Sequence, residues 1–342
     1  TRALKRTYPQ AEIDLLALPS SAKIVEGDPD LASIITYDPN VWRRPKALFR
    51  AGNWREALRL VQRLRGRRYD LAVSVFGNWA AILAVLSGAR RTVGFKDEGY
   101  PGFMTDDVPG RHWKAGERLH EVDYCLQLAR AAGVMPTPQD REPRLYVTEQ
   151  ASQQIEALLA SAGIQPGKAL IACHVSSNNG HSKRWPLPYW AALLERLIRE
   201  DEAQIVLTGA PVDLPYIENV TRRMSEQTAG KVLNLAGKTS LGQLAALLQR
   251  ADLLISGDSG PMHIAAAVGT PLIAIHGPTD PAQSGPISPR ATVLRSDIWC
   301  SPCYQAKDTA DCRFFTTLCM KDITPNQVYH AIMQKQVVPH IQ

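Results

Sequence analysis

The 342-residue chain has no apolar run approaching the roughly 20 residues that a membrane-spanning helix needs, so no transmembrane segment is expected. No charged leader followed by an apolar stretch opens it. Thr1-Arg2-Ala3-Leu4-Lys5-Arg6 leads straight into a helix-like pattern, which points to a cytoplasmic protein. The GxxxxGK[ST] spacing of a P-loop is missing, although Gly237-Lys238-Thr239-Ser240 resembles its end. No helix-turn-helix, RNA-binding or zinc-finger pattern accompanies the basic residues, so nucleic acid is not the expected partner. Acids are scarce in one stretch. Between residues 41 and 68 stand Arg43, Arg44, Lys46, Arg50, Arg55, Arg59, Arg63, Arg65, Arg67 and Arg68 against a single Glu56. Leu58, Val61 and Leu64 give this stretch one apolar and one basic face. It reads as a solvated basic surface, or as a patch for an anionic acceptor or an anionic membrane leaflet.

What remains is globular. Hydrophobic residues make up 45 % and charged residues 21 %, with a net charge of +6, and the length suits two domains better than one. The clearest organisation lies in residues 253–281. An apolar run at 253–256 is of strand length, Gly257-Asp258-Ser259-Gly260 is turn-forming, residues 262–268 form a small-residue helix, and Gly269 stands where that helix stops. Residues 272–275 are a second apolar run, and His276-Gly277-Pro278-Thr279-Asp280-Pro281 breaks regular structure again. Strand, helix, strand implies a parallel βαβ unit, which places ligands at the carboxyl ends of its strands. The free N–H groups of the helix's first turn form an anion site, Ser259 can add a hydroxyl, and Gly260 leaves room for close approach. Asp258 would repel a phosphate; it suits sugar hydroxyls, or it caps the helix.

Other βα units flank this one. In the amino-terminal half, strands are expected at 12–18, 33–36, 71–75 and 91–95, with Phe76-Gly77-Asn78 as a strand-end loop and a helix from Trp79 to Leu86. His120 begins a further helix, where a structural role is the simpler reading. A Pro-rich, charged segment at 135–144 reads as a linker. Beyond it, strands at 169–174, 204–208 and 232–235 alternate with helices. The strand at 169–174 ends in the polar loop Ser176-Ser177-Asn178-Asn179-Gly180, with Lys183 and Arg184 on the same rim. Asp213 follows the next strand, where a carboxylate can accept from ribose hydroxyls or cap the helix after it. The series predicts an α/β chain of two Rossmann-like domains, residues 1–144 and 145–342, facing a cleft, with a last helix at 326–334.

The string Asp258-Ser259-Gly260-Pro261-Met262-His263 through Pro281, together with Lys183-Arg184-Trp185-Pro186, closely resembles the signature of the ADP-heptose:lipopolysaccharide heptosyltransferases, inverting glycosyltransferases of the GT-B fold. The resemblance implies heptose transfer from ADP-heptose to the lipopolysaccharide inner core, on the cytoplasmic side and peripheral to the inner membrane. It implies a nucleotide-sugar site made by Ser176, Ser177, Lys183, Asp213, Thr239, Asp258, Ser259, Gly260, Met262 and His263, with no cofactor required for catalysis. Such sequences usually open with a strand and a Gly-Asp loop carrying the catalytic base. That first strand is expected to be missing here and the base to lie upstream of Thr1, so no residue is assigned to it. Two alternatives stay open: a related glycosyltransferase with another nucleotide sugar or acceptor, and a non-catalytic nucleotide-sugar-binding protein.

Cys300, Cys303, Cys312 and Cys319 crowd into twenty residues. In a cytosolic chain this reads as metal ligation before disulfides, with structural zinc or iron as the fitting ions; the other reading is reduced thiols packing a loop. The resemblance adds that some relatives carry iron in a similar segment.

Overall fold

The computed structural model describes residues 1–44, 46–97, 102–110, 119–177, 180–303 and 311–336. Asn178 and Asn179 lie outside the described residues. The chain divides into two compact units: residues 1–22 with 29–141, and residues 23–28 with 142–342.

The first unit carries two small parallel sheets. β1 (Asp14–Ala17) pairs with β2 (Ser33–Thr36), Asp14 opposite Ser33. β3 (Leu71–Val73), β4 (Arg91–Phe95) and β5 (Asp106–Val108) form the other, with β4 in the middle. The basic stretch becomes the Ala51–Arg67 helix, preceded by two 3-10 turns. Leu60 and Leu64 lie one helical turn apart and bury against Ile35, Tyr37 and Leu83, while Arg55, Arg59, Arg63, Arg65 and Arg67 are exposed. The Glu121–Ala131 helix begins where His120 Nδ1 accepts from the Val122 N–H, so His120 is an N-cap. It lays Tyr124 and Leu128 on Val93 and Phe95. Arg6 binds both carboxylate oxygens of Asp140 at 2.7 and 2.8 Å, and these bonds hold the Asp140 carboxyl well below the usual carboxylate range.

The second unit holds one six-stranded, all-parallel sheet. Its strands are β6 (Leu170–His174), β7 (Gln204–Leu207), β8 (Val232–Asn234), β9 (Leu253–Gly257), β10 (Leu272–His276) and β11 (Ala291–Arg295), in the order β11-β10-β9-β6-β7-β8. The expected strands are all present, within a residue or two at their ends. Every residue of β6, β9 and β10 is buried, which is why these strands read as unbroken apolar runs rather than alternating ones. Alternate side chains feed two cores. Ile171, Cys173, Ile255 and Ile273 meet the Leu187–Glu200 and Pro325–Met333 helices. Leu170, Ala172, Leu254 and Ala274 meet the Glu149–Ser161, Leu241–Arg250 and Gly260–Val268 helices. The chain runs outward from β6 through β7 to β8, then returns beside β6 and runs the other way through β9, β10 and β11. That reversal puts a topological switch point between β6 and β9, and ligands of doubly wound sheets bind outside the carboxyl ends of the strands there.

Candidate nucleotide-sugar site

The carboxyl ends of β6 and β9 deliver two charged side chains to the switch point. Beyond β6 the chain makes a short 3-10 turn, His181–Lys183, and is then pinned by Trp185. The Trp185 indole is buried and donates to the Ile323 carbonyl at 2.7 Å. Beyond β9 comes Asp258. Lys183 Nζ donates to Asp258 Oδ2 at 2.8 Å, and both side chains are only 9 % exposed.

Burial pushes the Asp258 carboxyl up. The Lys183 charge, the neighbouring His276 and hydrogen bonds from Lys183 and Thr279 outweigh it, so the group ends below the usual range and is a carboxylate at neutral pH. His276 closes β10 and is fully buried. Burial drives its pKa down to about 4 against the pull of Asp258, so its imidazole is neutral at physiological pH. Its Nδ1 lies 3.2 Å from Thr279 Oγ1, and its Nε2 is buried with no hydrogen-bond partner. On the other side of β9, at the end of β6, Ser176 Oγ is likewise buried and unpartnered. Unsatisfied buried polar atoms are rare and costly. Of the six such atoms among the described residues, two lie on either side of Asp258, at the end of β10 and just beyond β6, where a polar ligand can supply partners.

The other expected residues fall around this centre in different ways. Ser177 is buried, and its carbonyl accepts from Arg184 Nε at 3.2 Å. Ser259 is the N-cap residue of the Gly260–Val268 helix, yet its side chain caps nothing; its Oγ lies 2.9 Å from Ser256 Oγ and 3.3 Å from the Gly257 carbonyl oxygen. Gly260 is exposed, with open space where a Cβ would stand. Met262 is fully buried in the core beneath its helix, whereas His263, about 100° further round, is exposed. Asp213 is buried and accepts from the Ala210 N–H at 2.7 Å. Thr239 is half-buried, one residue before Ser240 caps the Leu241–Arg250 helix in a reciprocal box with Gln243. Sequence reasoning passed over His276, Thr279 and Ser256. The available signal was position: His276 ends a strand adjacent to the one that carries Asp258.

The four cysteines are neighbours, but the expected metal cage is not formed. Among the described residues no three His, Cys, Asp or Glu side chains converge to hold a metal. Burial and the neighbouring Cys303, Cys300 and Cys312 push the Cys319 thiol up to about 11, whereas at Cys312 burial is outweighed by hydrogen bonds from the Thr317, Phe314 and Thr316 backbone, which hold it below the usual thiol value. The segment instead braces the loop after β10. Ser301 Oγ donates to the Gly277 carbonyl at 2.6 Å, the Cys303 N–H donates to the Pro278 carbonyl at 2.9 Å, and a Cβ on Gly277 would overlap Met320 and crowd Cys319.

Comparison with known proteins follows the same lines. Residues 57–313 match glycosyltransferase family 9 (heptosyltransferase). The lipooligosaccharide heptosyltransferase 2 of Haemophilus influenzae is 37 % identical over 214 residues, which span 56 % of this chain and 61 % of that enzyme's length. The lipopolysaccharide heptosyltransferase 2 of Salmonella typhimurium is 29 % identical over 297 residues, 86 % of this chain and 82 % of that one. The solved structure of Escherichia coli ADP-heptose lps heptosyltransferase II superposes with a TM-score of 0.73 at 25 % identity, covering 98 % of this chain and 92 % of that one. With a GT-B-type α/β fold and a family match over most of its length, the chain is a glycosyltransferase and belongs to family 9, the heptosyltransferases.

Proposed function

We propose that this chain transfers heptose from ADP-heptose to the inner core of lipopolysaccharide, with inversion at the anomeric carbon, at the inner face of the inner membrane. The observation that carries the reading is the buried Lys183–Asp258 pair, flanked by the unpartnered Ser176 Oγ and His276 Nε2. The names of the relatives supply the donor and acceptor classes.

The residues divide the work by charge. Breaking the glycosidic bond leaves negative charge on the departing diphosphate, which fixed donors stabilise. Lys183, the Ser176 and Ser177 hydroxyls, Ser259 and the Gly260 N–H at the start of the Gly260–Val268 helix are the donors for it; Pro261 has no N–H and that of Met262 bonds the Ser259 carbonyl. Together they can carry that charge, so no cofactor is invoked. Asp258 cannot face the diphosphate. It holds Lys183 in place, or accepts from sugar hydroxyls as the lysine swings to phosphate. Asp213 serves the ribose and Thr239 the base side, with His263 exposed at the helix start and Met262 packed beneath it in the core rather than against the ligand. Attack by the acceptor hydroxyl needs a general base, and none of the described residues is assigned that role. The cysteines are read as reduced packing groups. Among the described residues no helix is long and apolar enough to cross a membrane, and association with the inner membrane is proposed to be peripheral.

Calorimetric titration with ADP and ADP-heptose, followed by transfer to a heptose-deficient lipopolysaccharide, tests the reading. Binding that Lys183→Ala weakens, together with transfer, supports it. Binding without transfer favours a nucleotide-sugar-binding protein, and failure to bind any ADP-sugar removes the donor assignment.

A further inference from the structure

The first unit exposes an apolar tip within a ring of cations. Phe49 is 88 % exposed, Leu48 64 %, Leu58 58 % and Trp54 49 %. Trp54 is held in place. Trp54 Nε1 donates to the Leu48 carbonyl at 2.8 Å, and its ring meets Trp42 edge-on at 4.9 Å. Trp42 in turn stacks on Trp79, at the start of the helix that follows β3. Trp54 and Leu58 stand one helical turn apart, and Arg55 and Arg59 repeat that spacing beside them. Around the tip Arg44, Lys46, Arg50, Arg55, Arg59 and Arg63 are all exposed, and Glu56 is the single acid among residues 44–63. Among the described residues none of these six cations joins an ion pair.

We infer that this tip docks on an anionic phospholipid bilayer, with Leu48, Phe49 and Leu58 entering the headgroup–acyl boundary, Trp54 at the interface, and the arginines on lipid phosphates. The inference deepens the peripheral membrane location proposed above, and rests on it only in taking the leaflet to be the one that carries the acceptor. Two features select a bilayer. Apolar and interfacial aromatic side chains beside a basic helix face match a surface that is anionic outside and apolar beneath. A second copy of the chain would set one cationic rim against another, and a nucleic acid would leave Leu48, Phe49 and Leu58 without an apolar partner.

The test is co-sedimentation of the full chain with vesicles. Binding is expected on phosphatidylglycerol-containing vesicles, with little on pure phosphatidylcholine and a steep loss at high salt. Arg55→Glu with Arg59→Glu should weaken it by more than tenfold, at roughly fivefold for each cation removed. Leu48→Ser with Phe49→Ser should weaken it by about tenfold while leaving thermal melting and transfer to a deacylated, water-soluble acceptor unchanged. Equal binding to neutral and anionic vesicles, or wild-type binding by both variants, overturns the inference. So does a dimer in sedimentation that the Leu48/Phe49 variant dissociates. Transfer without vesicle binding removes the docking surface alone, and vesicle binding without any ADP-sugar binding removes the donor assignment alone.

Discussion

The two units solve opposite problems with the same βα grammar. In the second, one six-stranded sheet is covered on both faces, and its three central strands are buried at every position. In the first, the strands fall into sheets of two and three, β1 and β3 are half-buried throughout, and large aromatic side chains lie at the surface. A dry, rigid sheet end is what a buried ion pair requires. Its charges lose their water and are tolerated only if geometry is held. A surface that meets a large, variable partner needs no such dryness, and its charges can remain solvated. The contrast therefore separates a preorganised centre, suited to a small ligand of fixed shape, from an open surface.

Breaking that centre should give the largest effect. Lys183→Met leaves Asp258 as an uncompensated buried carboxylate and should cost about 3–5 kcal/mol in urea unfolding. Adding Asp258→Asn should recover most of the stability but none of the ADP-sugar binding. If the single variant unfolds at the wild-type denaturant midpoint, the pair is wetter than its burial indicates. Core truncations compare the units directly. Leu194→Ala, in the covered sheet's core, should cost about 3 kcal/mol, and Leu64→Ala about 2. The gap arises because the smaller cluster sits near the surface and can relax into the vacancy. Equal losses would erase the distinction.

Acid offers a titration of the same contrast. An unfolded histidine protonates near pH 6.5, whereas His276 in the fold protonates at about 4. Between those values only the unfolded chain takes up the proton. Stability should therefore fall as pH drops from about 6.5 to about 4, by up to roughly 3 kcal/mol, and this loss should level off below. Burial lowers His174 in the same direction, and Asp258 keeps its charge across the window. Denaturant midpoints across the window for the wild type and His276→Phe should show a shallower slope in the variant. Parallel slopes would mean that His276 is hydrated.

Much of this contrast could be read in the sequence, and what escaped has physical causes. The continuous apolar runs of β6, β9 and β10 announced a parallel sheet, because burial on both faces removes the alternation that other strands show. In the structure the Thr148 and Ser240 hydroxyls cap the starts of their helices, the role that such residues favour. The Lys183–Asp258 contact spans 75 residues, a pairing that follows from strand order and leaves no trace in local spacing. The same holds for residues 23–28, which lie with the second unit. The Lys23 carbonyl lies close over Gly242 and the Tyr146 carbonyl close over Gly27, and no short-range pattern encodes these contacts. The cysteine spacing suggested ligation, but the side-chain directions that decide it belong to the tertiary fold.

The smallest effect should come from a well-connected charge of the first unit. Asp14 accepts from Arg67 at 2.8 and 3.0 Å, from Tyr69 at 2.6 Å and from Ser33 at 2.8 Å. Burial raises its pKa, but these bonds outweigh it and hold the carboxyl below the usual range, while burial and the Asp14 bond push the Tyr69 hydroxyl up to about 12. The network resembles the Lys183–Asp258 pair in its buried carboxylate, 3 % exposed for the Asp14 side chain, but not in its cation, since the Arg67 side chain is 40 % exposed. Arg67→Ala should cost about 1 kcal/mol or less, because water replaces the guanidinium and Asp14 keeps two hydroxyl donors. Asp14 titrates below its unfolded value, so its contribution is present above about pH 4 and is lost only as pH falls through its folded value, beneath the histidine window. A thermal-melt loss for Arg67→Ala as large as that for Lys183→Met would show that the first unit holds its charges as dry and as fixed as the second.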